Sequence, residues 1–220
     1  MKRVKFALSI LILLSLTAGI FAQTTEKPDA LLLYRRGRDL EAVGRTQEAD
    51  QLYNQSIEIC KQELVANPRN LDSYTVMVWS LLRIDEYAQV VSYGQEALKI
   101  NANDYRIIEA LGEAYFYLNN FSESLRMMEK YIDSMPTGER ISIAYFFVGE
   151  IYRNQKKYNK ADIAYTAATY HEKNLPLWWF RMGQVREQAG DKAGANAAYQ
   201  QALKLNPSYR EAQQGVSRTS

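Results

Sequence analysis

The chain of 220 residues is 47% hydrophobic and 24% charged, with five prolines and eleven glycines. That is enough for one medium domain or a short solenoid, and poor enough in helix breakers for long helices. One cysteine excludes an intramolecular disulfide, and one histidine excludes a two-histidine metal site within the chain. The formal charge of +2 gives no argument for nucleic-acid binding: three of the 27 basic residues lie in the first five positions, and without them 24 basic face 25 acidic side chains.

From the N-terminus, Lys2, Arg3 and Lys5 precede an apolar run from Phe6 to Ala22 that ends in small residues. This order is that of a secretory signal over residues 1–22, with cleavage expected after Ala22 and a second candidate site near Gly19. The alternative is an uncleaved membrane anchor, since about 17 residues is the short limit for a spanning helix. In either case the rest of the chain is expected outside the cytoplasm, and in the periplasm if the signal is removed. No second stretch is long enough to span a bilayer, and no cysteine follows the signal as a lipoprotein would require. Residues 23–29 read as a short polar tether.

Helical periodicity starts at Ala30 and continues in hairpins of about 30–70, 71–104, 105–141, 142–175 and 176–209, followed by a short capping helix at 209–216 and a tail at 217–220. The first hairpin turns at Val43-Gly44-Arg45-Thr46 and then overruns its expected end by about seven residues, or two helical turns of roughly 10 Å in all, with Ile57, Cys60 and Leu64 on one stripe. Cys60 is therefore expected on a buried helix face. The second hairpin carries Val78, Val90 and Gly94 where the first, fourth and fifth hairpins carry small, small and aromatic residues. Two bulky residues at the closest contact should push its helices apart, and Gly94 suggests a close neighbouring backbone. The fourth hairpin starts about three residues late, after Thr137 to Arg140.

The fifth hairpin gives the clearest pattern: Trp179, Met182 and Gly183 on its first helix, Ala195, Tyr199 and Ala202 on its second, then Pro207. Gly112, Gly149 and Gly183 recur at similar places, close to a period of about 34 residues. The pattern resembles the tetratricopeptide repeat over roughly residues 30–216. The resemblance implies an all-α fold, a right-handed superhelical solenoid of about five helical hairpins plus the cap, with a concave groove lined mainly by the first helix of each pair.

Side chains one and five places after each first-helix anchor stand on one helix face and, on that resemblance, face the groove: Tyr34 and Arg38, Thr75 and Trp79, Glu109 and Glu113, Phe146 and Glu150, Phe180 and Gln184. One turn further lie Leu82 and Arg83, Phe116 and Tyr117, Arg153 and Asn154. The alternative for the aromatic members is that they fill gaps between adjacent hairpins. Trp178 is expected either to pack on the preceding hairpin or to form an exposed edge. The lysine and asparagine pairs with which some members of the family grip a terminal carboxylate are absent, which favours an apolar or internal peptide segment.

Catalytic patterns are scarce. His171 reads as a residue at a helix end, Glu109/Glu113 and Asp85/Glu86 are acidic pairs without an evident closed pocket, and no glycine-rich phosphate loop follows a strand. The expectation is a protein without enzymatic activity or cofactor, acting as a scaffold for a protein partner in assembly of an outer-membrane, secretion, pilus or periplasmic flagellar complex. Nucleic acid is not expected as a partner. Two alternatives are a small-ligand receptor with a pocket between Trp79, Phe116 and Phe146, and self-association through the array's ends or near Cys60.

Overall fold

The computed structural model describes residues 29–220; the expected signal and all of the tether except Asp29 lie outside the described residues. These residues form α1 (Ala30–Ala42), α2 (Thr46–Ala66), α3 (Leu71–Arg83), α4 (Tyr87–Ile100), α5 (Tyr105–Tyr117), α6 (Phe121–Ser134), α7 (Ile141–Asn154), α8 (Tyr158–His171), α9 (Pro176–Gln188), α10 (Lys192–Leu205) and α11 (Arg210–Thr219). Successive pairs make five antiparallel hairpins, with α11 closing the end. No helix among the described residues is long and apolar enough to cross a membrane.

Five of the eleven helices among the described residues start at a side chain that satisfies free amides of the first turn. Asp29 accepts from Leu31 N at 2.8 Å and Leu32 N at 3.2 Å, Asn70 from Asp72 N and Ser73 N, Asp104 from Arg106 N, Asn120 from Glu123 N, and Asp191 from Gly194 N. Each hairpin turns through one residue of positive φ: Gly44, Asp85, Asn119, Lys156 and Gly190. Glycine adopts that conformation freely and Asp and Asn tolerate it, whereas lysine at φ 59° is strained.

Within a hairpin, a glycine of the first helix receives a large side chain of the second. A Cβ built on Gly37 would lie 2.6 Å from the Tyr53 ring, on Gly149 2.7 Å from Tyr165, and on Gly183 2.6 Å from Tyr199; Gly112 accommodates Met128 in the same way. The Tyr199 ring also meets Gly215 of α11, where a Cβ would be 2.6 Å away. The second hairpin lacks this fit, with Val78 and Gly94 in place of the glycine and the large residue. Both Val78 and Val90 are fully buried, and α3 and α4 meet over less of their surface than α1 and α2, α5 and α6, α7 and α8, or α9 and α10. The space over Gly94 is filled by the Leu111 side chain of α5, where a Cβ would come within 2.7 Å, so its close neighbour is a side chain and not a backbone.

α2 spans 21 residues against 14 in α4, α6, α8 and α10, which accounts for the seven-residue overrun. Ile57 and Cys60 are buried and Leu64 packs at the edge of the same core. α11 extends to Thr219, beyond the expected 216, because Asn196 Nδ2 donates to Thr219 Oγ1 at 3.1 Å and Arg218 pairs with Glu187 at 2.8 Å.

Odd-numbered helices adjoin one another, α1 on α3, α3 on α5, α5 on α7 and α9 on α11, whereas even-numbered helices meet mainly odd-numbered ones. Stacking that is closer in one layer than in the other curves the array toward the closer layer. The odd helices therefore line its inner face.

Candidate functional site

The inner face begins with α1 and α3. Tyr34 is buried, its ring 5.6 Å from Trp79 and 5.9 Å from Tyr53. Thr75 is buried too and donates its hydroxyl to Leu71 O at 2.8 Å. Trp79 is half-buried and lines a cavity of about 510 Å³ with Leu31, Arg35 and Arg106. Arg38 is exposed and makes no ion pair among the described residues. Arg83 lies 3.7 Å from Glu41. Burial works against its charge, but Tyr34, Glu41 and Glu113 outweigh this and raise its pKa.

At the centre, Arg140 gathers the two glutamates of α5. Its Nε and Nη2 donate to Glu109 Oε1 at 2.9 and 2.7 Å, and Nη2 also donates to Glu113 Oε2 at 2.8 Å. Its backbone N donates to the Tyr131 hydroxyl at 3.2 Å. Glu109 is 3% exposed, so its carboxylate is a structural ion-pair partner rather than an open groove charge. Burial first, then the Glu109 charge, push the Glu113 carboxyl up to about 7 against the opposing pull of Arg140 and Arg83.

Further along, Glu150 is buried beneath Arg153, whose Nη2 is at 2.5 Å, Arg181, whose Nε is at 3.2 Å, and the Tyr165 hydroxyl, which donates at 2.6 Å. Gln184 accepts from Arg181 Nη1 at 2.9 Å. Phe116 packs on Phe147 at 5.0 Å and on Phe121 at 5.6 Å. Phe146 stacks on Trp178, rings 5.0 Å apart and 14° from parallel, so Trp178 packs on the preceding hairpin. Phe180 is buried between Tyr199 and Tyr209.

Five of the expected groove residues, Tyr34, Thr75, Glu109, Glu150 and Phe180, thus lie beneath the inner surface, because the helices carrying them pack directly on their neighbours. Trp79, Phe116 and Phe146 do not meet around one pocket: the last two are occupied by neighbouring rings. The side chains left open are Arg38, part of Trp79, Arg83, Glu113, Arg153 and Gln184, and Tyr117, which is 47% exposed and stacks on Tyr87 at 4.6 Å. Sequence reasoning missed Arg140, Arg181, Arg35 and Tyr87. The late start of the fourth hairpin was the one signal for Arg140, since the longer connection carries it back over α5.

The one thiol is withdrawn, whereas the imidazole of His171 is exposed. Burial, followed by the Glu63 charge, pushes the Cys60 thiol up to about 12. His171 closes α8, as its place at a helix end predicts, and stacks on Tyr145 at 6.0 Å. Among the described residues no group of three His, Cys, Asp or Glu side chains is arranged to hold a metal ion. What the inner face offers is apolar rings and guanidinium groups, the usual anchors of protein interfaces.

Family models of the tetratricopeptide repeat match residues 143–172 and 176–209. No curated protein matches the chain. Among solved structures, the thermophilic TPR protein TTC0263 of Thermus thermophilus is 17% identical, with a TM-score of 0.63 over 86% of this chain and 98% of that one. MamA (41-end) from Desulfovibrio magneticus RS-1 is 15% identical, with a TM-score of 0.64 over 82% and 96%. YrrB, described as a TPR protein with an unusual peptide-binding site, is 15% identical, with a TM-score of 0.60 over 86% and 92%. At these identities the likeness establishes the solenoid fold and not a shared partner.

Proposed function

Because the chain is a tetratricopeptide-repeat protein, a class of scaffold for protein–protein interaction, we propose that it is a non-enzymatic scaffold exported to a bacterial cell envelope. There it captures a helix or extended segment of a partner protein on its inner face, in assembly of an envelope complex. The observation that carries this reading is the row of odd-numbered helices adjoining from α1 to α7, on which Arg38 and Tyr117 are exposed and Trp79 is half-exposed beside rings that are already packed. The peptide-binding site described for YrrB supports it by likeness of fold. Export rests on the residue order from Met1 to Ala22.

The test is in-cell photocrosslinking from Arg38 and Tyr117, with Gln200, exposed on α10, as control. One protein captured from both inner positions and not from Gln200 supports the scaffold and names its client. Equal capture from all three, or none, overturns it. The cavity at Trp79 favours a second reading, a small-ligand receptor, and its volume lies within the range of roughly 300–1,000 Å³ usual for such sites. Thermal stabilisation by a metabolite, lost in Trp79→Ala, would establish that reading.

A further inference from the structure

At the turn edge of the array, where the ends of α7 and α9 bring Arg153 and Gln184 from the inner face, the fourth and fifth hairpins border two open clefts of about 450 and 350 Å³ that meet at Lys156 and Tyr158. Arg153, Lys156, Lys157, Lys160 and Arg218 supply their cations, and Glu187 is the one carboxylate among their lining residues. Glu187 is occupied by Arg218 at 2.8 Å and by the Tyr199 hydroxyl at 2.6 Å. Arg153 is likewise paired with Glu150.

Lys156, Lys157 and Lys160 are exposed and none forms an ion pair among the described residues; Lys157 and Lys160 lie 6.0 and 5.4 Å from the Tyr152 ring. In a chain otherwise close to charge balance, this concentrates unpaired positive charge along one turn edge. Lys156 also occupies the left-handed turn position that glycine, aspartate or asparagine takes in the other four hairpins. A lysine held there keeps its charge at the junction of the clefts despite backbone strain.

We propose that this double cleft docks an acidic segment of a partner protein, at the turn edge that adjoins the inner face. Two adjoining open clefts bordered by unpaired lysines suit consecutive acidic side chains of a polypeptide. Asn154, Gln184 and Gln188 add amide donors beside the cations. Charge complementarity of this kind accelerates encounter and sets register.

The probe is a terminally blocked, fluorescein-labelled ten-residue oligo-glutamate, with its oligo-glutamine counterpart, read by fluorescence anisotropy on the full chain. Oligo-glutamate should bind and oligo-glutamine should not, with affinity falling as salt rises past about 0.15 M, where charges are screened beyond about 8 Å. The double variant Lys157→Glu/Lys160→Glu should weaken binding at least about tenfold, the scale of a lost charge-assisted contact or two. Lys173→Glu/Lys204→Glu, which changes charge equally at exposed sites outside the clefts, should bind as the parent does. Circular dichroism establishes that both variants are folded. Equal binding of the two peptides, or equal loss in the two variants, overturns the proposal. So does lysine-dependent sedimentation with phosphatidylglycerol vesicles in the absence of peptide binding, or lysine-dependent self-association by light scattering, rescued by Asp85→Lys/Glu86→Lys. The inner-face crosslinks from Tyr117 are read independently, so either reading can fail without the other.

Discussion

Glu113 receives one hydrogen bond from Arg140, at 2.8 Å, from a guanidinium that gives two to Glu109. Burial, and then the neighbouring Glu109 charge, raises the proton affinity of Glu113, with its pKa at about 7. A carboxyl raised above its unfolded value binds more protons folded than unfolded. Its stabilising contribution is full below about pH 4.5 and is lost as pH rises through about 7. Thermal unfolding between pH 5 and 8 should show this loss, on the order of 1–3 kcal/mol. Glu113→Gln should flatten the slope; an unchanged slope would exclude Glu113 as its source.

The left-handed turns give a pair of opposite effects. Lys156→Gly should stabilise the protein by about 1 kcal/mol, and Gly190→Ala should destabilise it by a similar amount. Urea unfolding of the two variants measures both; matching signs would contradict the backbone argument.

Two helical glycines should behave differently. Gly149→Ala places a Cβ 2.7 Å from the ring of fully buried Tyr165, whose hydroxyl is fixed on Glu150. It should cost about 1–3 kcal/mol through overpacking. Gly94→Ala meets the movable end of Leu111 and gains about 1 kcal/mol of helix propensity, so its net effect should be small. Denaturant midpoints of the two variants should differ in that order.

Cys60 has no accessible surface and a thiol pKa of about 12. Reaction with a disulfide reagent at pH 8 should be slow in the native protein and rapid in denaturant, because the thiolate is the reactive form. Rapid native labelling would show that the packing between α2 and α3 opens readily.

Export predicts that protein recovered from the producing cell begins at Gln23. Intact-mass measurement of the envelope fraction decides between this and retention of residues 1–22 as an anchor.

The repeat was legible where one residue choice recurs with one physical job. Gly112, Gly149 and Gly183 each receive a large side chain from the paired helix, so their spacing reported a real contact. The altered second hairpin was visible in Val78 and Gly94, but its remedy was not, since Leu111 comes from a different hairpin. The site was less legible. The spacing that selected Glu109 and Glu150 identifies a helix face correctly, yet cannot say that Arg140 and Arg181 from neighbouring units will cover those carboxylates. Nor does the sequence reveal that Lys156 sits at positive φ, because its neighbours Gln155 and Lys157 form no usual turn signal.

The Tyr199 ring lies in the notches of both Gly183 and Gly215. One side chain therefore serves as the common wedge for three helices, and the terminus is keyed to the interior rather than laid over it. In a linear stack each unit borrows stability from its neighbour. Shaving this wedge to alanine should release α11 and the fifth hairpin as one fraying block in hydrogen exchange, while the first three hairpins keep their protection.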